Sequence, residues 1–284
     1  MSEQKVAIVT GAGSGIGTGM ALVLAEHGYD VAISYRTHEG GAKEMQQKIQ
    51  AMGRKCLIYK ADHSTAEGCA PFVNKVRKDF GRLDAIILNA GLDCRNSILT
   101  ATPEELDEVI STNYRGSLLC AGAAARHFVQ DKIEGNIIFI TSSRSQRAYP
   151  EDFLYGGLKA ALTRSAESMA LELSPYKIRV NCVAPGATAR ELDYDITAPP
   201  PEDLTRVEHA VPLKRKAHSK ECGEAIAYLL SDNAKYITGV TLRIDGGLIL
   251  SGMPEYWAAP VWLNPEWTKT HYDKVIEMSK NEEL

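Results

Sequence analysis

Tyr155 and Lys159 stand four residues apart in Tyr155-Gly156-Gly157-Leu158-Lys159, a spacing that puts both side chains on one face of a helix. A phenol with an ordinary pKa of about 10 is a poor proton carrier near neutrality. A cation one helical turn away stabilises the phenolate and lowers that value. Alone, such a pair says only that two side chains share a helix face. Here it accompanies a hydroxyl at Ser142 and a glycine-rich turn, Thr10-Gly11-Ala12-Gly13-Ser14-Gly15-Ile16-Gly17. Glycines at such a turn let the backbone approach a pyrophosphate, and a following helix N-terminus offers unpaired N–H groups to the anion. Together these residues describe a complete redox site. A nucleophilic Ser-His-Asp arrangement is not supported, because no G-x-S-x-G surrounds Ser142 and no histidine has a place in the pattern.

The elements that must position these groups follow from the apolar pattern. Short β-branched runs at Val6 to Thr10, Val31 to Tyr35, Cys56 to Tyr59, Ala85 to Leu88, Ile137 to Thr141, Ile178 to Val183 and Thr241 to Ile244 alternate with longer helical stretches. Several runs are apolar at consecutive positions, as in strands covered by helices on both faces. The pattern predicts an α/β, doubly wound, seven-stranded parallel sheet. Thr102-Pro103-Glu104-Glu105 reads as a helix start with N-cap, proline and capping-box glutamate, and Ser219 followed by Glu221 opens another helix. The predicted organisation is a single dinucleotide-binding catalytic domain over 1–250, including a substrate loop near 186–216 that contains Pro199-Pro200-Pro201. An aromatic-rich extension over 251–284 follows.

The glycine spacing, G-x-x-x-G-x-G after a threonine, resembles the signature of the short-chain dehydrogenase/reductase family. Asn89-Ala90-Gly91 is similar to the family's N-A-G motif beside the cofactor, and Pro185-Gly186 to its turn beside the nicotinamide. Asp62, followed by His63, matches the acidic residue placed against the adenine ring. The resemblance runs from about Lys5 to Gly247 and implies a Rossmann fold. It also implies roles: Tyr155 exchanges a proton with the substrate oxygen, Lys159 supports it and binds ribose hydroxyls, and Ser142 hydrogen-bonds that oxygen. Asn113 is the asparagine that holds a water in the proton relay. Ser143 competes with Ser142, but the interval from Ser142 to Tyr155 is the family's usual one. Gly11, Ser14, Gly15, Ile16, Gly17, Asn89, Ala90, Gly91, Pro185, Gly186 and Thr188 are the further cofactor contacts it implies. At the end of the second strand, Tyr35 and Arg36 stand where NAD-dependent relatives carry an aspartate. A cation without a carboxylate favours a 2′-phosphate. The expected cofactor is NADP, with NAD as the alternative.

Within the family, the segment from His127 to Tyr155 resembles the glucose dehydrogenase-like branch. Asp93, Arg95 and Arg144 stand where specificity is set and would bind hydroxyls or a carboxylate, unless they are ordinary surface charges. Arg190 replaces a threonine usual after Pro185-Gly186, and Thr188 can compensate. The expected substrate is a small carbonyl compound or its alcohol, sugar- or polyol-like. A 3-oxoacyl thioester reductase and a non-catalytic dinucleotide-binding regulator are the alternatives.

Composition narrows the partners. In 284 residues, 44% hydrophobic and 24% charged residues suit a globular core, and a net charge of −4 provides no basic field for nucleic acid. No run approaches the ~20 apolar residues of a membrane helix. The chain passes from Met1-Ser2-Glu3-Gln4-Lys5 straight into an apolar run, which predicts no signal peptide and a cytoplasmic location. Six cysteines without C-x-x-C and seven histidines without H-x-x-x-H predict reduced thiols and no catalytic metal. The resemblance further implies a homodimer or homotetramer built on helices near Thr102 to Gln130 and Phe153 to Leu173. Trp257, Trp262 and Trp267, with Tyr256 and Tyr272, predict a tail that buries aromatic surface against a neighbouring subunit, over the substrate cleft, or on its own subunit.

Overall fold

The computed structural model describes residues 4–194, 210–250 and 265–280. The apolar runs form β1 (Val6–Val9), β2 (Asp30–Tyr35), β3 (Cys56–Lys60), β4 (Ala85–Leu88), β5 (Asn136–Ile140), β6 (Arg179–Pro185) and β7 (Thr241–Ile244). They make one seven-stranded sheet in the order β3-β2-β1-β4-β5-β6-β7, with every pairing parallel. Strand order reverses between β1 and β4, and the crevice beyond the carboxyl ends of those strands is where such sheets bind ligands.

The inner strands are buried on both faces, while the edge strands β3 and β7 are partly exposed. Along β1, Val6 and Ile8 join a core with Phe72, Phe128, Phe139 and Leu162, while Ala7 and Val9 join a second core with Met20, Leu24, Ile33 and Ile226. This accounts for the consecutive apolar positions, since successive side chains point to opposite, covered faces. Helices α1 (Ile16–Glu26), α2 (Glu39–Ala51) and α7 (Ser219–Leu230) contribute to the second core. Helices α3 (Ala70–Phe80), α5 (Ser117–Asp131) and α6 (Phe153–Leu173) contribute to the first.

Helix α4 (Pro103–Ile110) has the expected capping box: Thr102 Oγ1 accepts from Glu105 N at 3.3 Å, and Glu105 Oε2 accepts from Thr102 N at 3.1 Å. Helix α7 starts where expected, but with a different cap. His218 precedes it, its Nδ1 accepts from Lys220 N at 3.0 Å, and Ser219 is already helical. Ser219 instead lies against Gly19 of α1, where a Cβ would come within 2.7 Å of Ser219 Cβ. Helices α1 and α7 therefore pack closely through small residues. Between α4 and α5 the chain remains helical but widens into a π-helix over Ser111–Gly116, which carries Asn113.

The ends of the expected substrate loop are tied together, since Ala189 N donates to Ala217 O and Ala217 N to Ala187 O, both at 2.8 Å. Pro199-Pro200-Pro201 lie outside the described residues, as do Tyr256, Trp257 and Trp262. Trp267 falls in a helix not anticipated from sequence, α8 (Pro265–Lys280), where Tyr272 is 64% exposed. Among the described residues no helix is long and apolar enough to cross a membrane.

Candidate active site

The phosphate cradle follows directly from β1. Gly11 adopts φ +67°, a left-handed conformation that disfavours side chains, and a Cβ there would come within 2.9 Å of Ala90 Cα. At Gly17 the constraint is space, since a Cβ would stand 2.6 Å from Asn89 Nδ2. Helix α1 begins at Ile16 behind Gly15, with no side-chain cap on its first turn, so its N–H groups face the turn. Ser14 is exposed in that turn. The residues fit a dinucleotide pyrophosphate: the turn excludes side chains and opens on a helix N-terminus.

Two hydroxyls that sequence reasoning missed hold this turn. Thr10 Oγ1 accepts from both Asn89 N and Ala90 N at 2.9 Å, and Asn89 Nδ2 donates back to Thr10 O at 2.9 Å. Asn89-Ala90-Gly91 is thus a brace for the glycine turn. Ser34 Oγ, buried near the end of β2, accepts from Gly11 N at 3.0 Å and lies 2.8 Å from His63 Nε2. The available signal was a polar residue inside an apolar strand.

Tyr35 closes β2 and Arg36 follows, exposed and 3.5 Å from Glu108 Oε1. Asp62 Oδ1 accepts from Ser64 N at 3.0 Å and Ser64 Oγ at 2.8 Å. Burial raises the Asp62 pKa, but those hydrogen bonds and the Arg36 charge outweigh it and hold the carboxyl below its usual range.

Asn113 and Lys159 meet beside Gly91. Asn113, fully buried, clamps the backbone of Leu92: its Oδ1 accepts from Leu92 N at 2.7 Å and its Nδ2 donates to Leu92 O at 2.9 Å. A Cβ on Gly91 would lie 3.3 Å from Asn113 Oδ1 and 3.8 Å from Lys159 Nζ, so both groups flank that glycine. Lys159 Nζ donates to Ile140 O at 2.7 Å and lies 5.6 Å from the Tyr155 ring centroid. Burial pulls the Lys159 pKa down to about 8. Ser142, just beyond β5, has an extended backbone and accepts from Arg144 N at 3.2 Å.

Tyr155 departs from expectation. Burial, then the Asp93 charge, raises its pKa, and hydrogen bonding with Ser142 and the Arg144 charge only partly oppose this.

A charged network surrounds the mouth. Arg144 Nη1 lies 3.1 Å from Asp152 Oδ1 and 3.9 Å from Asp93 Oδ1, and its guanidinium carbon stands 5.8 Å from the centre of the Tyr155 ring. Arg190, from the substrate loop, reaches Asp93 at 3.7 Å. Asp152 is buried with Oδ2 unpartnered, and burial raises its pKa despite Arg144. Sequence reasoning singled out Asp93 and Arg144 but missed Asp152, which folding brings back to Arg144 from eight residues on. Arg95 is exposed and no hydrogen bond or ion pair joins it to this network. Pro185 ends β6, Gly186 packs against Asp245, and Thr188 Oγ1 donates to Gly186 O at 3.4 Å.

The family model described as "Enoyl-(Acyl carrier protein) reductase" matches residues 11–249. The chain is 37% identical over 248 residues to an NADP-dependent mannitol dehydrogenase of Alternaria alternata, covering 86% of this chain and 91% of that protein. It is 32% identical over 251 residues to glucose 1-dehydrogenase 2 of Bacillus subtilis (strain 168), covering 87% and 95%. An acetoin dehydrogenase structure from Enterobacter cloacae superposes with a TM-score of 0.83 at 34% identity, covering 90% of this chain and 99% of that one. These similarities do not single out the glucose dehydrogenase-like branch. The chain belongs to the short-chain dehydrogenase/reductase family and is an NAD(P)-dependent oxidoreductase acting on the CH–OH groups of alcohols and the corresponding carbonyls.

Proposed function

We propose that this enzyme uses NADP to interconvert a small sugar- or polyol-like carbonyl compound and its alcohol, with Tyr155 as the proton-transfer group. The observation that carries this reading is the convergence of Asn113 and Lys159 on Gly91, with Tyr155 on the same helix and its ring centroid 5.6 Å from Lys159 Nζ, at the strand ends beside the cradle. In the reducing direction the Tyr155 hydroxyl donates its proton to the carbonyl oxygen while Ser142 hydrogen-bonds that oxygen. The bound nicotinamide supplies or takes the hydride. Lys159 holds positive charge beside the phenol, and Asn113 fixes the loop after Gly91. In the cofactor site, Gly11, Ser14, Gly15, Ile16 and Gly17 hold the pyrophosphate, Asp62 and His63 line the adenine end, and Pro185, Gly186 and Thr188 line the nicotinamide end. Arg36, beside Tyr35, pairs with the 2′-phosphate.

Asp93, Arg144 and Arg190 form a hydrogen-bonding rim suited to hydroxyls, which supports a polyol-like substrate. The family model's description favours a thioester as the second reading. Product analysis after incubation with NADPH and separate sugars, hydroxyketones and 3-oxoacyl thioesters distinguishes them; turnover of the thioester alone overturns the polyol assignment. Tyr155→Phe should keep NADP binding, read by fluorescence titration, and lose more than roughly a hundredfold in rate. Retained turnover sinks the assigned role.

A homodimer or homotetramer completes the proposal. Leu119 and Val129 on α5 and Leu171 on α6 are exposed, with Tyr176 beyond them, an apolar surface suited to a second copy.

A further inference from the structure

A second cluster of chemistry-bearing side chains lies under the connection from β3 to α3, and none of its members belongs to the Tyr155 cluster. His63, Cys69 and Cys120 are 6%, 0% and 1% exposed. Their candidate ligand atoms, one ring nitrogen and two sulfurs, all lie within 4.8 Å of one another. His63 Nδ1 is 3.7 Å from Cys120 Sγ. Cys69 Sγ donates to Thr65 O at 3.1 Å. The His63 ring is fixed from two sides, by Ser34 Oγ at 2.8 Å from Nε2 and by the edge of Phe72 with ring centroids 5.5 Å apart.

Buried thiols alone are ordinary small hydrophobes. Two thiols and an imidazole converging from the β3–α3 connection and α5 are a different matter, because sulfur and imidazole nitrogen are the donors preferred by zinc-like ions over magnesium or calcium. We propose that His63 Nδ1, Cys69 Sγ and Cys120 Sγ bind one thiophilic divalent metal ion, of the zinc, cobalt or cadmium kind, which clamps the β3–α3 connection to α5.

Charge supports the assignment, since two thiolates and a neutral imidazole neutralise a divalent ion inside the core. Binding releases the two thiol protons to solvent and changes no oxidation state. Metal–sulfur bonds of about 2.3 Å require the three donors to draw in by roughly an ångström, a small adjustment for side chains. Ser34 supplies the outer contact that metal-bound histidines usually have: with Nδ1 on the ion, Nε2–H donates to Ser34 Oγ. That same oxygen accepts from Gly11 N, so the clamp is linked to the cradle through one atom. Ligands drawn from one connection and a later helix leave no C-x-x-C or H-x-x-x-H signature.

The test uses full-length, reduced protein and Co2+ as a spectroscopic probe, supplied both to the folded protein and during refolding, because the ligands are buried. One Co2+ per chain is expected, with a thiolate-to-cobalt charge-transfer band. That band should vanish in Cys69→Ala and Cys120→Ala and persist in Cys94→Ala and Cys182→Ala. Circular dichroism confirms that each variant is folded, and the unfolding midpoint of wild type should rise with Co2+. Wild type lacking the band in both preparations overturns the proposal, a result that needs no variant to fold. So does a band that survives removal of both Cys69 and Cys120.

Discussion

Asp93 acts on Tyr155 through charge, and the direction of that effect can be tested. Its carboxylate disfavours the phenolate and contributes to raising the phenol pKa. Alcohol oxidation needs the phenolate to accept a proton, so the acid limb of kcat/KM for oxidation lies higher than it would without Asp93. Asp93→Asn should move that limb to lower pH, as read from a pH–rate profile; an unmoved or upward-shifted limb contradicts the argument. At the other end of the cofactor, Arg36→Ala should weaken NADP binding by roughly 1.5–3 kcal/mol and leave NAD nearly unchanged, measured by titration of each dinucleotide. Equal losses would make Arg36 a structural residue. At this scale the sequence was most legible where chemistry is local. Spacing places Tyr155 and Lys159 on one helix and the glycine turn directly after the first strand, as the structure has them. The Thr10 and Ser34 braces and the Arg144–Asp152 pair were not, because their partners are brought together only by folding. Nor could spacing show how strongly burial opposes ionisation of Tyr155.

The strands were readable because a sheet covered on both faces requires unbroken apolar runs, and each expected strand lies within two residues of its observed bounds. Helix α4 was readable from its cap. Thr102→Ala should cost about 1 kcal/mol in denaturant unfolding with KM unchanged, since the cap bonds backbone far from the chemistry. A shift in KM would show that α4 positions the site. The π-helix after α4 was hidden, because apolar periodicity does not distinguish one widened turn within a helical run. It carries Asn113 into the core against Leu92. Deleting one residue from Ser111–Gly116 would restore α-helical pitch there and rotate Asn113 away from the loop it clamps.

For the whole molecule, the sheet was foreseen, while the contribution of the tail was not decided by composition. Aromatic content argues for burial, yet Tyr272 on α8 is exposed in the isolated chain, which fits a tail that meets another subunit. Truncation after Leu250 should weaken assembly in light scattering or raise substrate KM while NADP binding survives. An unchanged oligomer with unchanged kinetics would assign the tail to neither role. The sheet's strand order also has a consequence for synthesis. Strand β1 needs β4 on its second edge, and Thr10 waits for Asn89, 79 residues later, before the cradle is braced. At ribosomal speeds of about 5–20 residues per second, that edge stands open for roughly ten seconds in every nascent chain. During that interval the emerging half-sheet offers bare hydrogen-bonding groups to any neighbouring strand, and no dinucleotide can shield it, because the cradle does not yet exist.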